Sequence, residues 1–455
     1  MKEPGHALTV WLGDQVAGHL QHHPTTNRFA FAYADEWRQA QGAFALGPQL
    51  PLKPPVDQSP DQHSAIVRQF FENLLPEGDA LDHAAQAHGV SKSNLLGLIH
   101  ALGRETAGAI RLTVSDVAAP VSAPTAPFEA HLREVTRAEL SQRIRERAQH
   151  PFSVWDQQVR LSIAGYQDKI AVYEYGGKLF LVNGGPMAST VIVKPVPTRP
   201  ALNSLPGNEF MCMQLARAAG VPVADTWLEH VPEPVLFVKR FDRRQTTKGV
   251  ERLHLIDGCQ LLGLSVGMKY ERPYGDGPDV RNIRDGASLR ALFQAINQHS
   301  LQPAVDRLAL LRWAIFQVLI GNTDAHGKNL SFFVQPSGVS LAPAYDMVCI
   351  PALKDAQLSS TLAMAVGDAF TEADITPFDW AQLGQEAGLR PAAMARQMTG
   401  LINKVTEALP AASQAAQQGD VGKETIEAIT QQVSGACHRH RAAATQVQRI
   451  KPTWL

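Results

Sequence analysis

An apolar segment that runs directly into a polar loop and a predicted β-hairpin constrains the fold of this chain more than any other feature. Residues 307–320 are apolar nearly all round, which is typical of a buried helix. Two short apolar runs, residues 330–334 and 339–342, flank a Gln-Pro-Ser-Gly turn and predict an antiparallel hairpin. The polar loop lies between helix and hairpin, and a buried helix would hold it in a fixed place.

Three oxygen-bearing side chains lie in this loop and beyond the hairpin. Asp324 precedes Asn329 by five residues, and Asp346 follows the second predicted strand. Because a tight hairpin brings its two ends together, we expect Asn329 and Asp346 to lie side by side. A carboxylate that orients an incoming hydroxyl, with an amide and a second carboxylate as Mg²⁺ ligands, is the arrangement used in phosphoryl transfer. The alternative is that these are ordinary turn residues, since Asn and Asp favour turns.

Composition argues against several classes of protein. The chain has 455 residues, 45% apolar and 19% charged, so two or three globular domains are expected. Its net charge of −1 gives no general attraction for nucleic acid. Four scattered cysteines without a C-x-x-C pair disfavour zinc and disulfide frameworks and fit a reducing compartment. No secretory leader or membrane-spanning run is recognisable, so we expect a cytoplasmic protein without a membrane segment.

The order of predicted elements indicates an α+β fold, in which a bilobal, protein-kinase-like body follows an extra N-terminal α/β subdomain. Strands with one helix form a small N-lobe, and mostly helical segments form a larger C-lobe. The subdomain shows no catalytic grouping and is interpreted as a scaffold or interaction module. We place the subdomain at 1–117, a linker and helix at 118–150, the N-lobe at 151–250 and the C-lobe at 251–455.

Three further segments could contact a nucleotide. Residues 162–169 join two predicted strands and could cradle phosphate with backbone N–H groups, but their single glycine fits no general phosphate-loop motif and a plain turn is the alternative. Lys194 ends an apolar strand and could reach phosphate oxygens or extend into solvent. Glu209, fifteen residues later, begins a predicted helix and could pair with Lys194. Residues 237–243 lie where a hinge would bind adenine, although their arginines could form a surface patch.

Taken together, four motifs resemble those of the HipA family, the serine/threonine kinase toxins of bacterial HipBA-type toxin–antitoxin modules. They are R-L-S-I-A-G-Y-Q-D-K at 160–169, V-K-R-F-D-R-R at 238–244, G-N-T-D-A-H-G-K-N at 321–329 and P-A-Y-D at 343–346. The resemblance covers nearly the whole chain, because F-F-E-N-L-L-P and A-G-A-I in the N-terminal unit also fit it. It implies a kinase that uses ATP and Mg²⁺ and is restrained by a HipB-like helix-turn-helix antitoxin.

The resemblance implies a role for each matching residue. Asp324 would be the catalytic base, and Asn329 and Asp346 would bind Mg²⁺. Ser162 would be an autophosphorylation site, whose phosphate adds about two negative charges and displaces the neighbouring loop from the ATP phosphates. The ATP-binding residues would be Ala164, Gly165, Tyr166, Gln167, Asp168, Lys169, Lys194, Lys239, Phe241, Asp242, His326, Lys328 and Tyr345.

Within this set, residues 164–169 would form the phosphate-binding loop and Lys194 would also contact phosphates. Backbone groups of Lys239 and Phe241 would meet adenine, and Asp242 would lie near the ribose. Lys239 stands where relatives carry Glu, which matters little if only its backbone binds. The neighbouring loop also departs from the family pattern, because its acidic residue is Asp where relatives carry Glu.

Residues 366–379 correspond to a Lys-rich, DNA-contacting segment of the family. Here the segment has no Lys or Arg and is acidic, so we expect DNA contact only indirectly, through the antitoxin. The family's best-known target suggests a protein substrate among the aminoacyl-tRNA synthetases, with glutamyl-tRNA synthetase as the first candidate. No substrate-docking motif in the chain fixes that choice.

Two other classes of function remain open. A small-molecule or lipid kinase could use the same scaffold, because a fold does not determine its substrate, and Ser162 would then stay unmodified. A non-catalytic corepressor that accompanies a DNA-binding antitoxin is the other alternative. The intact set of Asp324, Asn329 and Asp346 argues against it.

Overall fold

The computed structural model of the protein describes residues 6–103, 105–114, 131–147, 149–156, 158–159, 167–184, 186–355 and 357–455. The elements of its N-terminal subdomain are β1 (His6–Leu12), β2 (Gln15–His23), β3 (Arg28–Tyr33), α1 (Asp35–Gln39), α2 (Pro60–Glu72), α3 (Gly78–Ala87), α4 (Leu95–Leu102) and β4 (Ile110–Val114). The strands pair antiparallel in the order β3-β2-β1-β4. Helix α2 packs against β3, and Val10, Leu20, Phe71 and Ile99 are buried in the core that results.

Capping residues set the beginnings of two helices in this subdomain. The amphipathic pattern of residues 64–75 predicts a helix, and this helix, α2, begins four residues earlier because the Ser59 side chain forms a capping box. The pattern of residues 91–103 predicts a second helix with Ser91 as its cap, but this helix, α4, begins four residues later and its cap is Asn94. Helix α3 was not predicted, because a single large apolar residue gives it little periodic signal.

A six-stranded antiparallel sheet with one long helix forms the N-lobe. Its elements are β5 (Leu132–Val135), α5 (Arg137–Glu146), β6 (Val154–Trp155), β7 (Gln158–Val159), β8 (Ile170–Tyr175), β9 (Lys178–Val182), β10 (Val191–Pro195), α6 (Leu205–Ala218), β11 (Thr226–His230) and β12 (Pro234–Lys239). The strand order is β11-β12-β10-β8-β9-β5. Strand β5 lies in the stretch predicted as linker and helix, and it pairs with β9, so the sheet begins upstream of residue 151. The apolar pattern also predicts a strand at 159–162, of which Val159 ends β7 and residues 160–162 lie outside the described residues.

The C-lobe contains the helix and hairpin that dominate the sequence pattern. Its elements are β13 (Arg243–Thr246), β14 (Gly249–Arg252), β15 (Leu255–Asp257), α7 (Gly258–Leu262), α8 (Leu289–His299), α9 (Pro303–Ile320), β16 (Ser331–Gln335), β17 (Gly338–Leu341), α10 (Pro377–Glu386), α11 (Pro391–Gln418) and α12 (Lys423–Val447). Helix α9 buries Trp313 and Phe316 and packs against α8, α11 and α12. Strands β16 and β17 pair antiparallel, so the predicted buried helix and hairpin are both confirmed. Within the ranges given above, no helix has the length and apolar character needed to cross a membrane.

Candidate active site

The loop after α9 is held in place from its first residue. Gly321 ends the helix with a φ of 70°, and its N–H donates hydrogen bonds to the carbonyl groups of Gln317 and Val318. Residues other than glycine rarely adopt this φ, and a Cβ here would also lie 2.9 Å from a carbon of Pro351. Both the backbone conformation and the lack of space therefore require glycine. Because the helix is buried and ends at this glycine, the position and direction of the first loop residues are fixed.

Asn322 joins the two ends of the site. Its amide oxygen accepts a hydrogen bond from the backbone N–H of Asp324 at 3.2 Å. Its amide nitrogen donates to the backbone carbonyl of Asp346 at 3.3 Å and to the Gln317 side chain at 2.9 Å. This residue was not predicted, although an Asn side chain that hydrogen-bonds the backbone two residues later is a known turn signal.

Asp324 lies beside an aromatic side chain that the sequence did not point to. The Tyr270 hydroxyl donates a hydrogen bond to Asp324 Oδ1 at 2.6 Å, and the Tyr270 ring meets the His326 ring edge-to-face at 5.2 Å. Burial raises the pKa of the Asp324 carboxyl above its ordinary value, while the hydrogen bond from Tyr270 opposes the shift. Burial, with help from Lys269, lowers the pKa of His326 to about 3, so this imidazole is neutral at physiological pH.

Asn329 and Asp346 fit a divalent cation of the Mg²⁺ type. Asn329 Nδ2 donates to the Asp324 carbonyl at 3.1 Å, which leaves the amide oxygen as the atom for a ligand. Asp346 adopts a φ of 59°, a left-handed conformation that Asp tolerates better than most residues. Burial would raise its pKa, but the ammonium groups of Lys194 and Lys169 prevail and lower it to about 2, so the carboxylate is ionised.

This donor set is small. Among the described residues, no group of three or more His, Cys, Asp or Glu side chains is placed to hold a metal. Mg²⁺ is commonly bound by one or two protein oxygens together with water and substrate phosphates. One carboxylate and one amide oxygen therefore suit a cation that arrives with a nucleotide, not a permanent structural metal.

Lys194 forms a buried ion-pair network. Its Nζ lies 2.8 and 3.0 Å from the two carboxylate oxygens of Glu209 and 2.7 Å from Asp346 Oδ1. The side chains of Lys194 and Glu209 are 9% and 1% exposed, so Lys194 does not extend into solvent and the predicted pairing with Glu209 is present. Burial disfavours its charge, but Asp346 and Glu209 more than offset this and raise the Lys194 pKa, so the amine stays protonated.

A cleft of about 850 Å³ collects most of the predicted site residues. Glu209 lies behind it, bonded to Lys194. Ser162, Ala164, Gly165 and Tyr166 lie outside the described residues. The predicted residues that line the cleft are Gln167, Asp168, Lys169, Lys194, Lys239, Phe241, Asp242, Asp324, His326, Lys328, Asn329, Tyr345 and Asp346.

The comparisons with known proteins agree with this geometry. The HipA N-terminal domain model matches residues 8–113, and the HipA-like C-terminal domain model matches residues 161–412. The chain is 36% identical over 405 residues to the serine/threonine-protein kinase toxin HipA of Shewanella oneidensis, covering 88% of each protein. The chain belongs to the HipA family. It is therefore a kinase of the HipA toxin type, as predicted.

Further relatives support the same assignment. The putative kinase Y4mE of Sinorhizobium fredii is 30% identical, with 88% of this chain and 90% of the relative covered. The structure of the Shewanella oneidensis complex of HipA, HipB and operator DNA matches with a TM-score of 0.79 and 33% identity, covering 98% of this chain and all of that one. The predicted α+β, bilobal kinase-like fold is confirmed by this likeness.

Two predicted nucleotide ligands of this HipA-family kinase already have strong partners. The Asp242 carboxylate accepts hydrogen bonds from Arg240 at 2.7 Å, from Arg243 at 2.8 Å and from the Gly108 N–H at 2.8 Å. A ribose hydroxyl at Asp242 would have to share these acceptor sites. The Lys239 N–H donates to the Asp225 carbonyl at 2.8 Å, which leaves the carbonyl of Lys239 for adenine.

The arginines of the hinge segment do not form a surface patch, apart from the exposed Arg244. Arg240 and Arg243 are buried, and both form ion pairs with the Glu105 carboxylate of the N-terminal subdomain. Burial would raise the Glu105 pKa, but the positive charges of Arg252, Arg243 and Arg240 outweigh it and lower this pKa to about 2. The hinge is thus fixed to the subdomain, a contact that the sequence does not reveal.

Proposed function

We propose that this kinase transfers the γ-phosphoryl group of ATP, with Mg²⁺, to a serine or threonine hydroxyl of a protein. One observation carries the proposal: Asp324, Asn329, Asp346 and Lys194 line the same cleft. This is the set that phosphoryl transfer needs, with a base for the hydroxyl, oxygen ligands for a cation and a cation for the phosphates.

Each residue has a chemical role in this proposal. Asp324 accepts the hydroxyl proton, and its raised pKa makes it a better base than a fully solvated carboxylate. Lys194 remains charged and presents its ammonium group to phosphate oxygens. Mg²⁺, when bound, neutralises charge on the phosphates, and Asn329 and Asp346 would hold it. The neutral His326 and the Tyr345 ring complete the wall of the cleft.

Autophosphorylation on Ser162 is part of the proposal. Gln167 hydrogen-bonds to the Pro195 carbonyl at 3.2 Å, directly after Lys194, so the end of the 162–169 segment lies at the phosphate side of the cleft. Burial, and after it the charge of the nearby Lys194, lowers the Lys169 pKa, so this end of the segment lies near Lys194. A phosphate a few residues upstream would carry about two negative charges into this region and disfavour ATP beside it.

Intact mass measurement after incubation with ATP and Mg²⁺ tests the function. The wild type is expected to gain the mass of one phosphate, and Asp324→Asn and Ser162→Ala are expected to gain none. A wild type that hydrolyses ATP to ADP and phosphate, with water as the acceptor and no protein phosphorylated, would favour a kinase whose own acceptor is a small molecule. A wild type that neither consumes ATP nor gains mass would contradict the proposal.

The partner of this toxin is proposed to be a HipB-like antitoxin. The Shewanella relative is seen with HipB and operator DNA, and 98% of this chain is covered by that match. Direct DNA contact by residues 366–379 is disfavoured, because the segment is acidic; Glu372 pairs with Arg439, and Asp368 with Arg284. The proposed protein substrate is an aminoacyl-tRNA synthetase, with glutamyl-tRNA synthetase to be tried first, and such a target would place the kinase in the cytoplasm.

MgATP affinity is expected to fall as pH rises above about 8. Burial, reinforced by Lys194, lowers the pKa of Lys169 to about 8, so this lysine is charged below that pH and loses its charge above it. Because a neutral amine attracts phosphate poorly, KM for MgATP should rise by up to about tenfold per pH unit there. Steady-state kinetics between pH 7 and pH 9 measures this.

The matched variants are Lys169→Met and Lys178→Met. Lys169→Met should bind MgATP weakly at every pH and lose the dependence. Lys178 is exposed on strand β9 and pairs with Glu134, so its variant should keep the wild-type profile. A Lys169→Met profile that still bends near pH 8 would assign the titration to another group.

A further inference from the structure

We propose that the N-terminal subdomain is a working part of the catalytic site, and that Asn73 and Glu77 are positioning residues for the loop that carries Asp324 and Asn329. The inference rests on the proposed kinase function. Asn73 ends α2 and Glu77 precedes α3, so both lie in the α2–α3 connection, defined as residues 73–77. This connection forms one wall of the cleft.

Asn73 holds a buried lysine of the catalytic loop. Lys328 Nζ donates to the Asn73 side-chain oxygen at 2.8 Å, to the Asn73 carbonyl at 3.1 Å and to Asp257. The Lys328 side chain is 2% exposed, and these three acceptors use all three donors of the ammonium group. Asn73 itself cannot turn, because its amide nitrogen donates to the carbonyl groups of Gln69 and Leu264 at 2.8 and 2.9 Å.

Fixing Lys328 fixes the residue beside it. Lys328 precedes Asn329 in a single helical turn, and the Lys328 carbonyl accepts a hydrogen bond from the Tyr345 hydroxyl at 2.8 Å. The backbone of Lys328 is thus held from the Asp346 side, and its side chain is held from the subdomain. The Asn329 amide oxygen, the candidate cation ligand, takes its position from both contacts.

Glu77 reaches Asp324 by a second path. Glu77 Oε2 pairs with Lys269 Nζ at 2.6 Å, and both side chains are nearly buried. The Lys269 carbonyl accepts the Gly327 N–H at 2.9 Å, and the next residue, Tyr270, donates to Asp324. Position 327 has no space for a side chain, since a Cβ there would lie 2.6 Å from that of Ala287.

The second oxygen of the Glu77 carboxylate lies in an unfavourable environment. Its Oε1 is buried and has no hydrogen-bond partner among the described residues. Buried polar atoms are nearly always satisfied, so such an atom needs an explanation. Holding the segment that orients the candidate base supplies one, because Glu77 is the acidic partner of Lys269 across the boundary between subdomain and C-lobe.

Asn73→Ala is the first test, with Gln49→Ala as its matched control. Gln49 also crosses from the subdomain to the C-lobe, where it donates to the Leu261 carbonyl at 3.1 Å, but it does not line the cleft. We expect Asn73→Ala to lower kcat for phosphoryl transfer by about 10- to 100-fold and to raise KM for MgATP by a smaller factor, because both the segment that carries Asp324 and the cation ligand Asn329 lose their fixed position. Gln49→Ala should keep the wild-type kcat.

Hydrogen–deuterium exchange supplies a readout that does not depend on activity. Amides of residues 323–330 should exchange faster in Asn73→Ala than in the wild type and should be unchanged in Gln49→Ala. Glu77→Gln keeps the size of the side chain and removes the ion pair with Lys269, so it repeats the test if Asn73→Ala fails to fold. Circular dichroism melting identifies such a failure.

The outcomes separate the alternatives. Equal losses in the Asn73 and Gln49 variants would mean that the subdomain only supports the fold, and unchanged kcat and exchange in both Asn73→Ala and Glu77→Gln would also overturn the inference. If the wild type transfers no phosphate, the proposed function fails, but the exchange comparison still decides whether the α2–α3 connection positions the loop.

Discussion

Replacing Asp324 by Asn is expected to lower kcat for phosphoryl transfer by about 10²- to 10⁴-fold, the range typical of removing a general base. Asn has the size of Asp and can still accept the hydrogen bond that the Tyr270 hydroxyl donates at 2.6 Å, so the loop should keep its shape. It cannot accept a proton from an incoming hydroxyl. Steady-state transfer of phosphate to a protein substrate, or to the kinase itself, measures the loss.

Nucleotide binding should be largely preserved in the same variant. The candidate cation ligands are Asn329 and Asp346, and the candidate phosphate contact is Lys194, so calorimetry should give a Kd for MgATP within about threefold of the wild type. Asp285→Asn is the matched control, because Asp285 is exposed and lies outside the cleft. If Asp324→Asn kept its kcat, or if Asp285→Asn lost as much, Asp324 would not be the base.

The catalytic loop and its hairpin could be predicted because their constraints are local. The apolar helix, the turn and the two short strands lie within one stretch of chain. The apolar pattern and the turn residues of that stretch are enough to predict each of these elements. Asp324, Asn329 and Asp346 come from this stretch, and all three line the cleft. Lys194 and Glu209 are separated by only one strand end and one helix start, so their pairing was among the alternatives that the sequence allowed.

Contacts between distant segments could not be predicted in the same way. Tyr270 meets Asp324 from 54 residues away, and Asn73 meets Lys328 from 255 residues away. Tyr270 belongs to none of the motifs quoted above, and the F-F-E-N-L-L-P motif that contains Asn73 gave no indication of its partner, so no periodicity or turn rule places either residue. The subdomain looked like a scaffold for this reason, whereas its α2–α3 connection lines the cleft.

The same limit explains Asp242. The ribose contact at Asp242 was implied by the family resemblance, which says nothing of the other groups that hold this carboxylate. The structure surrounds that carboxylate with Arg240, Arg243 and the Gly108 N–H. Arg240 and Arg243 are near Asp242 in sequence, but the Gly108 N–H and the Glu105 carboxylate come from the N-terminal subdomain, and contacts made by the docking of two units cannot be inferred from a local pattern.

Lys194→Met is expected to reduce activity strongly and to lower the free energy of unfolding by about 3–5 kcal/mol, the usual cost of removing one partner from a buried pair. Glu209 is 1% exposed and would be left without its cation, or would have to take up a proton. Lys194 is the main cation that keeps the Asp346 pKa near 2, so its loss should raise that pKa and weaken the cation ligand. Urea denaturation and transfer kinetics measure the two effects.

A double-mutant cycle with Glu209→Gln separates the ion pair from the catalytic role. Because both changes remove the same Lys194–Glu209 ion pair, Lys194→Met and Glu209→Gln together should cost less stability than their sum, by about 0.5–3 kcal/mol. Activity should follow a different rule: the double variant should be as inactive as Lys194→Met, since the ammonium group for phosphate is missing from both. Additive losses of stability would show that the pair contributes no coupling, and recovered activity in the double variant would remove Lys194 from the phosphate site.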